Sequence, residues 1–234
     1  MVQSWFHSLI GWILSSRNRS YAEFGPFAMV LKAAGEPAPL VLLSMRSGEA
    51  GAVIDRISGA LSAKDSARGV DSMLAGADWR PHLVAAVALI LDAGRRLDPT
   101  PLWAAIDAGS WVTPQLVATA YLIDASFPDR LRARVEAGCP IEVPSNLSPA
   151  ERHRATGPAT AEQRSAKLLA SLLNIGMLVP GLAAWLKSAA NSPQLAAVRS
   201  ADRDNSGNIA ENWLKNVESQ FRSRHPVLVP ACRR

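Results

Sequence analysis

Apolar residues along most of this chain recur three and four positions apart, and alternation with a period of two is scarce. Ala is abundant and runs of β-branched residues are short, which favours helix. Residues 50–61 give the clearest case, with Val53, Ile54, Ile57 and Leu61 on one helical face. Trp5, Phe6, Leu9, Ile10 and Ile13 fall at the same spacing and predict an amphipathic first helix docked on the core. Residues 29–34 and 40–45 flank a break at Gly35-Glu36-Pro37-Ala38-Pro39. Thr160 followed by Gln163 predicts a capping box for a helix running into Leu168, and Ser148 caps a shorter one. The expected fold class is all-α.

An internal echo refines this picture. Pro81-His82-Leu83-Val84-Ala85 returns as Pro114-Gln115-Leu116-Val117-Ala118, and Leu89-Ile90 returns as Leu122-Ile123, both at an offset of 33. A Trp precedes each unit (Trp79, Trp111), and an Ala-Gly pair precedes each Trp (Ala75-Gly76, Ala108-Gly109). A second echo links residues 102–109 to 131–138. Gly76, Gly109 and Gly138 stand where helices must stop, and glycine adopts a left-handed cap at little cost. Pro81 and Pro114 fall in first turns, where a missing N–H costs nothing. One helix pair cannot bury its own apolar face, whereas stacked pairs can. A short stack of antiparallel helix pairs follows, with a domain over 1–143, a Pro-rich polar linker or surface loop over 144–159, and a C-terminal helical subdomain over 160–234.

Leu89-Ile90-Leu91-Asp92-Ala93-Gly94, then Leu97-Asp98, then Thr100-Pro101-Leu102-Trp103-Ala104-Ala105 with Gly109, resembles the ankyrin repeat. In that family a helix ends Leu-Leu-x-x-Ala-Gly and the next unit opens Thr-Pro-Leu-His-x-Ala-Ala. Trp103 departs from the family's His, Ile106 replaces a small residue, and Pro114 falls inside the expected second helix. The likeness covers about 60 residues, and a HEAT-like array stays open beside it. The whole chain, through Trp79-Arg80-Pro81-His82-Leu83 and residues 102–111, also resembles the helical immunity proteins encoded beside bacterial toxins. That resemblance implies a cytoplasmic protein-binding module that occludes a cognate toxin polypeptide. The expected contact residues are Trp79, His82, Trp103, Asp107, Trp111, Arg130 and Arg134.

Charge and composition narrow the classes. The net charge is +5 over 234 residues, and 20 of the 25 basic residues are Arg. The basic clusters at 130–134, 152–154 and 222–224 are not interleaved with aromatics as a nucleic-acid groove would be, so no nucleic-acid partner is expected. A basic inhibitor suits an acidic partner surface. Two cysteines, Cys139 and Cys232, fit a reducing compartment. Seven Trp against two Tyr is an unusual ratio. Trp at helical spacing packs cores and repeat junctions, and exposed Trp anchors interfaces.

Residues 168–186 run 19 positions without a charge, the length that can just span a bilayer. Asn174 and the Pro180-Gly181 break divide the run into two halves, each the length of a buried helix; a membrane-associated protein is the alternative reading. The sharpest ligand-like motif is Asp202-Arg203-Asp204-Asn205-Ser206-Gly207-Asn208-Ile209, which resembles the first eight positions of an EF-hand loop. Asp202, Asp204, Ser206 and Asn208 would converge on Ca2+, with Glu211 serving in a shortened loop because Trp213 holds the position of the usual bidentate Glu. A polar turn between helices uses the same residues. The four His show no metal-ligand spacing, nothing in the sequence activates Cys139, and no nucleophile elbow, Walker loop or dinucleotide fingerprint occurs. Asp92, Asp107 and Asp124 near helix ends suit turn amides or Arg better than acid–base work, and no enzymatic activity is expected.

Overall fold

The face read at residues 53–61 is buried: Val53, Ile54, Ile57 and Leu61 all lie in the core. In the computed structural model, residues 21–32, 38–92, 96–142 and 159–224 are described. A 3-10 turn over Ala22–Phe27 leads into α1 (Ala28–Leu31), α2 (Ala38–Ser44), α3 (Gly48–Leu61), α4 (Ser66–Ala75), α5 (Trp79–Asp92) and α6 (Thr100–Asp107). Then come α7 (Thr113–Ile123), α8 (Phe127–Glu136), α9 (Ala161–Gly176), α10 (Ala183–Ala190), α11 (Pro193–Ser200) and α12 (Ser206–Arg224). Among the described residues there is no strand, so the fold is all-α.

The two segments of the 33-residue echo become α5 and α7, and they form the centre. Every residue of α5 from Trp79 to Ile90 is buried, as is every residue of α7 from Thr113 to Ala120. A helix surrounded on all sides has no solvent face to keep, and these segments are mostly apolar, with Arg80, His82, Gln115 and Thr119 buried among them. α5 packs against α2, α3, α4 and α7, while α7 packs against α5, α6, α9 and α12. α4 also lies against α6, so neighbouring helix pairs touch through both members. One apolar cluster runs from Tyr21 to Phe221. The last helix closes on an early one: Asn216 Nδ2 donates to the Ser44 carbonyl at 2.6 Å and Gln220 Nε2 to the Met45 carbonyl at 3.0 Å.

Helix ends follow the sequence with one correction. Gly109 (φ 74°) and Gly138 (φ 78°) take the left-handed conformation. A Cβ on Gly109 would also fall 2.9 Å from Arg164 Cδ and 3.0 Å from Ile141 Cγ2, so both backbone and space require glycine there. Gly76 is instead extended (φ −70°, ψ 161°), and its carbonyl accepts a hydrogen bond from His82. Pro81 and Pro114 sit in first turns. The Thr160–Gln163 capping box forms, with Gln163 N donating to Thr160 Oγ1 at 3.2 Å and Thr160 N to Gln163 Oε1 at 2.9 Å. The uncharged run at 168–186 breaks between α9 and α10, and among the described residues no helix is long and apolar enough to cross a membrane. The first helix expected around Trp5, the helix at Ser148, nearly all of the 144–159 linker, His7, His153, His225 and Cys232 lie outside the described residues.

Candidate functional site

The seven expected contact residues assemble into two clusters. The first gathers Trp79, His82 and Trp111 at the turns that precede α5 and α7. The Trp79 and Trp111 rings are 4.9 Å apart at 52°. His82 spans both turns: its Nε2 lies 2.9 Å from the Gly76 carbonyl and its Nδ1 2.8 Å from Ser110 Oγ. A carbonyl only accepts, so Nε2 carries the proton and Ser110 Oγ donates to Nδ1. Burial holds the imidazole below its ordinary value, outweighing the opposing pull of the Gly76 carbonyl, the Asp78 charge and the Leu74 carbonyl. His82 is therefore a neutral clasp between consecutive turns. Trp79 and His82 are buried, which removes them from any docking surface and corrects that expectation; Trp111 is half-buried.

The second cluster lies along the edge formed by α6 and α8. Trp103 is 1% exposed, so it too is a floor rather than a surface anchor. The Arg134 guanidinium sits over its ring, 4.2 Å from the centroid, and that of Arg130 lies 5.8 Å away. Arg134 grips Asp107 with two parallel bonds, Nε to Oδ1 at 2.7 Å and Nη2 to Oδ2 at 2.5 Å. Arg134 Nη1 also donates to the Arg130 carbonyl at 3.1 Å. The hub of the edge is Asp124, at the end of α7. It accepts from Trp103 Nε1 at 2.7 Å and Ser126 N at 2.8 Å, and it pairs with Arg130 Nε at 3.2 Å. Asp124 is absent from the contact residues expected from sequence; its signal is an acid directly after the Leu122-Ile123 echo. Arg132, two residues from both Arg130 and Arg134 and so on a different face of α8, is exposed and 5.2 Å over the Trp185 ring of α10.

α8 thus holds Arg130 and Arg134 on one face above the buried Trp103 of α6, while Arg132 lies on another face against the half-buried Trp185. Asp107 and Asp124 are spent on pairing. Asp92 behaves likewise: burial pushes its pKa up, but the amides of Arg96 and Leu97 and the Arg96 guanidinium outweigh that and hold it below the ordinary carboxylate range. Cys139 is buried, and that burial pushes its thiol up to about 12, so it is not a thiolate at neutral pH.

The residues of the calcium-like loop make the following contacts. Asp202 caps the entry to α12, accepting from Ser206 N at 2.9 Å and from Ser206 Oγ at 2.7 Å. Asp204 pairs with Lys167 at 2.9 Å and Glu211 with Lys215 at 2.6 Å. Asn208 is exposed and starts the helix, its N–H donating to the Asn205 carbonyl. The oxygens point to cations and amides rather than to a common centre. Among the described residues no group of three or more His, Cys, Asp or Glu could hold a metal ion. The same loop is tied back to the first cluster, because Lys167 Nζ also reaches the Trp111 carbonyl at 3.4 Å. No family model, curated protein or solved structure matches the chain.

Proposed function

We propose that this protein is a non-enzymatic binding module whose α6–α8 edge docks an acidic surface of a partner polypeptide. Its most specific form is immunity, in which the rigid edge covers the active site of a cognate toxin in the cytoplasm. One observation carries the reading: Arg130 and Arg134 are half-buried, stacked on Trp103 and locked by Asp124 and Asp107. Arg side chains normally lose considerable rotamer freedom on docking, and here that entropy is already lost in the free protein. Pre-ordered guanidinium groups with unfilled donors suit carboxylate recognition across an interface.

The test is capture with the tagged full chain, followed by coexpression. A single stoichiometric partner that arrests growth when expressed alone, and is silenced by this chain, is the expected result. Arg130→Ala with Arg134→Ala should abolish both capture and protection, while Arg56→Ala on the exposed face of α3 should preserve them. Equal protection by the edge variant, in a folded protein, would refute the edge; a partner without growth arrest would refute immunity and leave the binding role.

A further inference from the structure

Away from that edge, α9, α10 and α11 and the start of α12 enclose an open groove of about 630 Å³. Pockets for small organic ligands commonly run about 300–1,000 Å³. Its floor includes the apolar side chains of Leu173, Met177 and Leu186 among a mainly polar lining, and Met177 is 39% exposed. Three cations rise from three separate segments around this floor: Lys187 from α10, Arg199 from α11 and Arg203 from the loop before α12. All three are exposed, and no carboxylate lies within pairing distance of any of them among the described residues. Asp202 is the one acid in the lining, and both its oxygens are taken up by Ser206. Asn174 adds an amide to the wall.

We propose that this groove binds a small organic phosphate: a phosphomonoester head carried on an apolar body. Unpaired like charges converging on one concavity repel one another, and a dianion placed among them relieves that repulsion. A phosphomonoester has three terminal oxygens and close to two negative charges at neutral pH, which matches two planar guanidinium forks and one ammonium better than a monoanionic carboxylate does. The apolar side chains of the floor account for the rest of the ligand. The groove shares no lining residue with the α6–α8 edge, so the two sites stand or fall separately.

Calorimetric titration of the full chain tests this with three probes: 1-naphthyl phosphate, 1-naphthol and inorganic phosphate. Naphthyl phosphate should bind one to one and at least about tenfold more tightly than either fragment. Arg199→Ala with Arg203→Ala should weaken it about tenfold or more while leaving the thermal melt of the free protein unchanged, since both side chains are exposed. Arg56→Ala with Arg68→Ala, exposed cations on α3 and α4, should change nothing. No binding of naphthyl phosphate, an unchanged affinity in the Arg199/Arg203 variant, or naphthol or inorganic phosphate binding as tightly as the ester would each overturn the assignment.

Discussion

Two glycines on neighbouring helices should respond to the same substitution with opposite sign. Gly59 lies on the exposed side of α3, and a Cβ built there meets nothing within 4 Å. Gly69 lies on α4 where it presses on the Ala22–Phe27 turn. A Cβ there would fall 2.7 Å from the Phe24 carbonyl oxygen and 3.0 Å from Phe27 Cδ2. Gly59 lies in the last turn of α3 and Gly69 in the first turn of α4, so Ala gains up to about 1 kcal/mol of backbone propensity at each. At Gly59 nothing opposes that gain, and Gly59→Ala should stabilise by up to about 1 kcal/mol, or roughly 2–4 °C in Tm. At Gly69 the obstructing atom belongs to backbone and cannot swing away as a side-chain tip would, and overpacking costs about 1–3 kcal/mol. Gly69→Ala should therefore come out about 1 kcal/mol destabilised, and the two variants should differ by about 2 kcal/mol. Urea unfolding followed by circular dichroism measures this, with an unchanged m-value confirming that only stability moved. If Gly69→Ala stabilised as much as Gly59→Ala, the close seating of α4 on the turn would be wrong.

Three further outcomes follow from the clusters. His82 is held below its ordinary value of 6.5 by burial, so the unfolded chain takes up its proton at higher pH than the native one; the resulting stability is complete above about pH 6.5 and declines as pH falls toward the native value, and His82→Gln should flatten that part of a stability–pH curve. Trp103→Phe keeps the ring but removes the N–H donor to Asp124, and should cost about 1.5–3 kcal/mol by chemical denaturation. In a Cys232→Ser background, Cys139 should resist a thiol reagent in native buffer at pH 8 and react fully in 8 M urea, because burial holds the thiol protonated and out of reach.

Where amphipathic contrast existed, the fold was readable. The 53–61 face, the Thr160 box and the left-handed Gly109 and Gly138 all rest on interactions within a few residues in sequence. The echo at an offset of 33 picked out α5 and α7, but not that they are buried on every side, since a mostly apolar helix carries little directional signal. Gly76 departs from its relatives because its carbonyl is aimed at His82, six residues on, which no cap rule includes. The edge was half visible. Arg130, Arg134, Asp107 and Trp103 stood out singly, whereas their joining depends on the Trp103–Asp124 and Asp107–Arg134 pairs, 21 and 27 residues apart, that only tertiary packing creates. The Asp202 motif reads two ways in sequence because a calcium loop and a helix entry use the same oxygen-bearing residues, and the pairing of Asp204 with Lys167 comes from a helix far earlier in the chain.

The bonds from Asn216 to Ser44 and from Gln220 to Met45 join carbonyls and amides 172 and 175 residues apart. A ribosome adding about 5–20 residues per second needs roughly 10–35 s to cover that interval. For the roughly 5–20 s between completion of α7 and arrival of α12, α2 and the flank of α7 that α12 will cover are made and still bare. Synthesis therefore exposes a greasy seam until α12 has been made. A premature stop anywhere within α12 leaves that seam open for good, so nonsense products of this chain should be bound by chaperones and degraded rather than persist as partly working fragments.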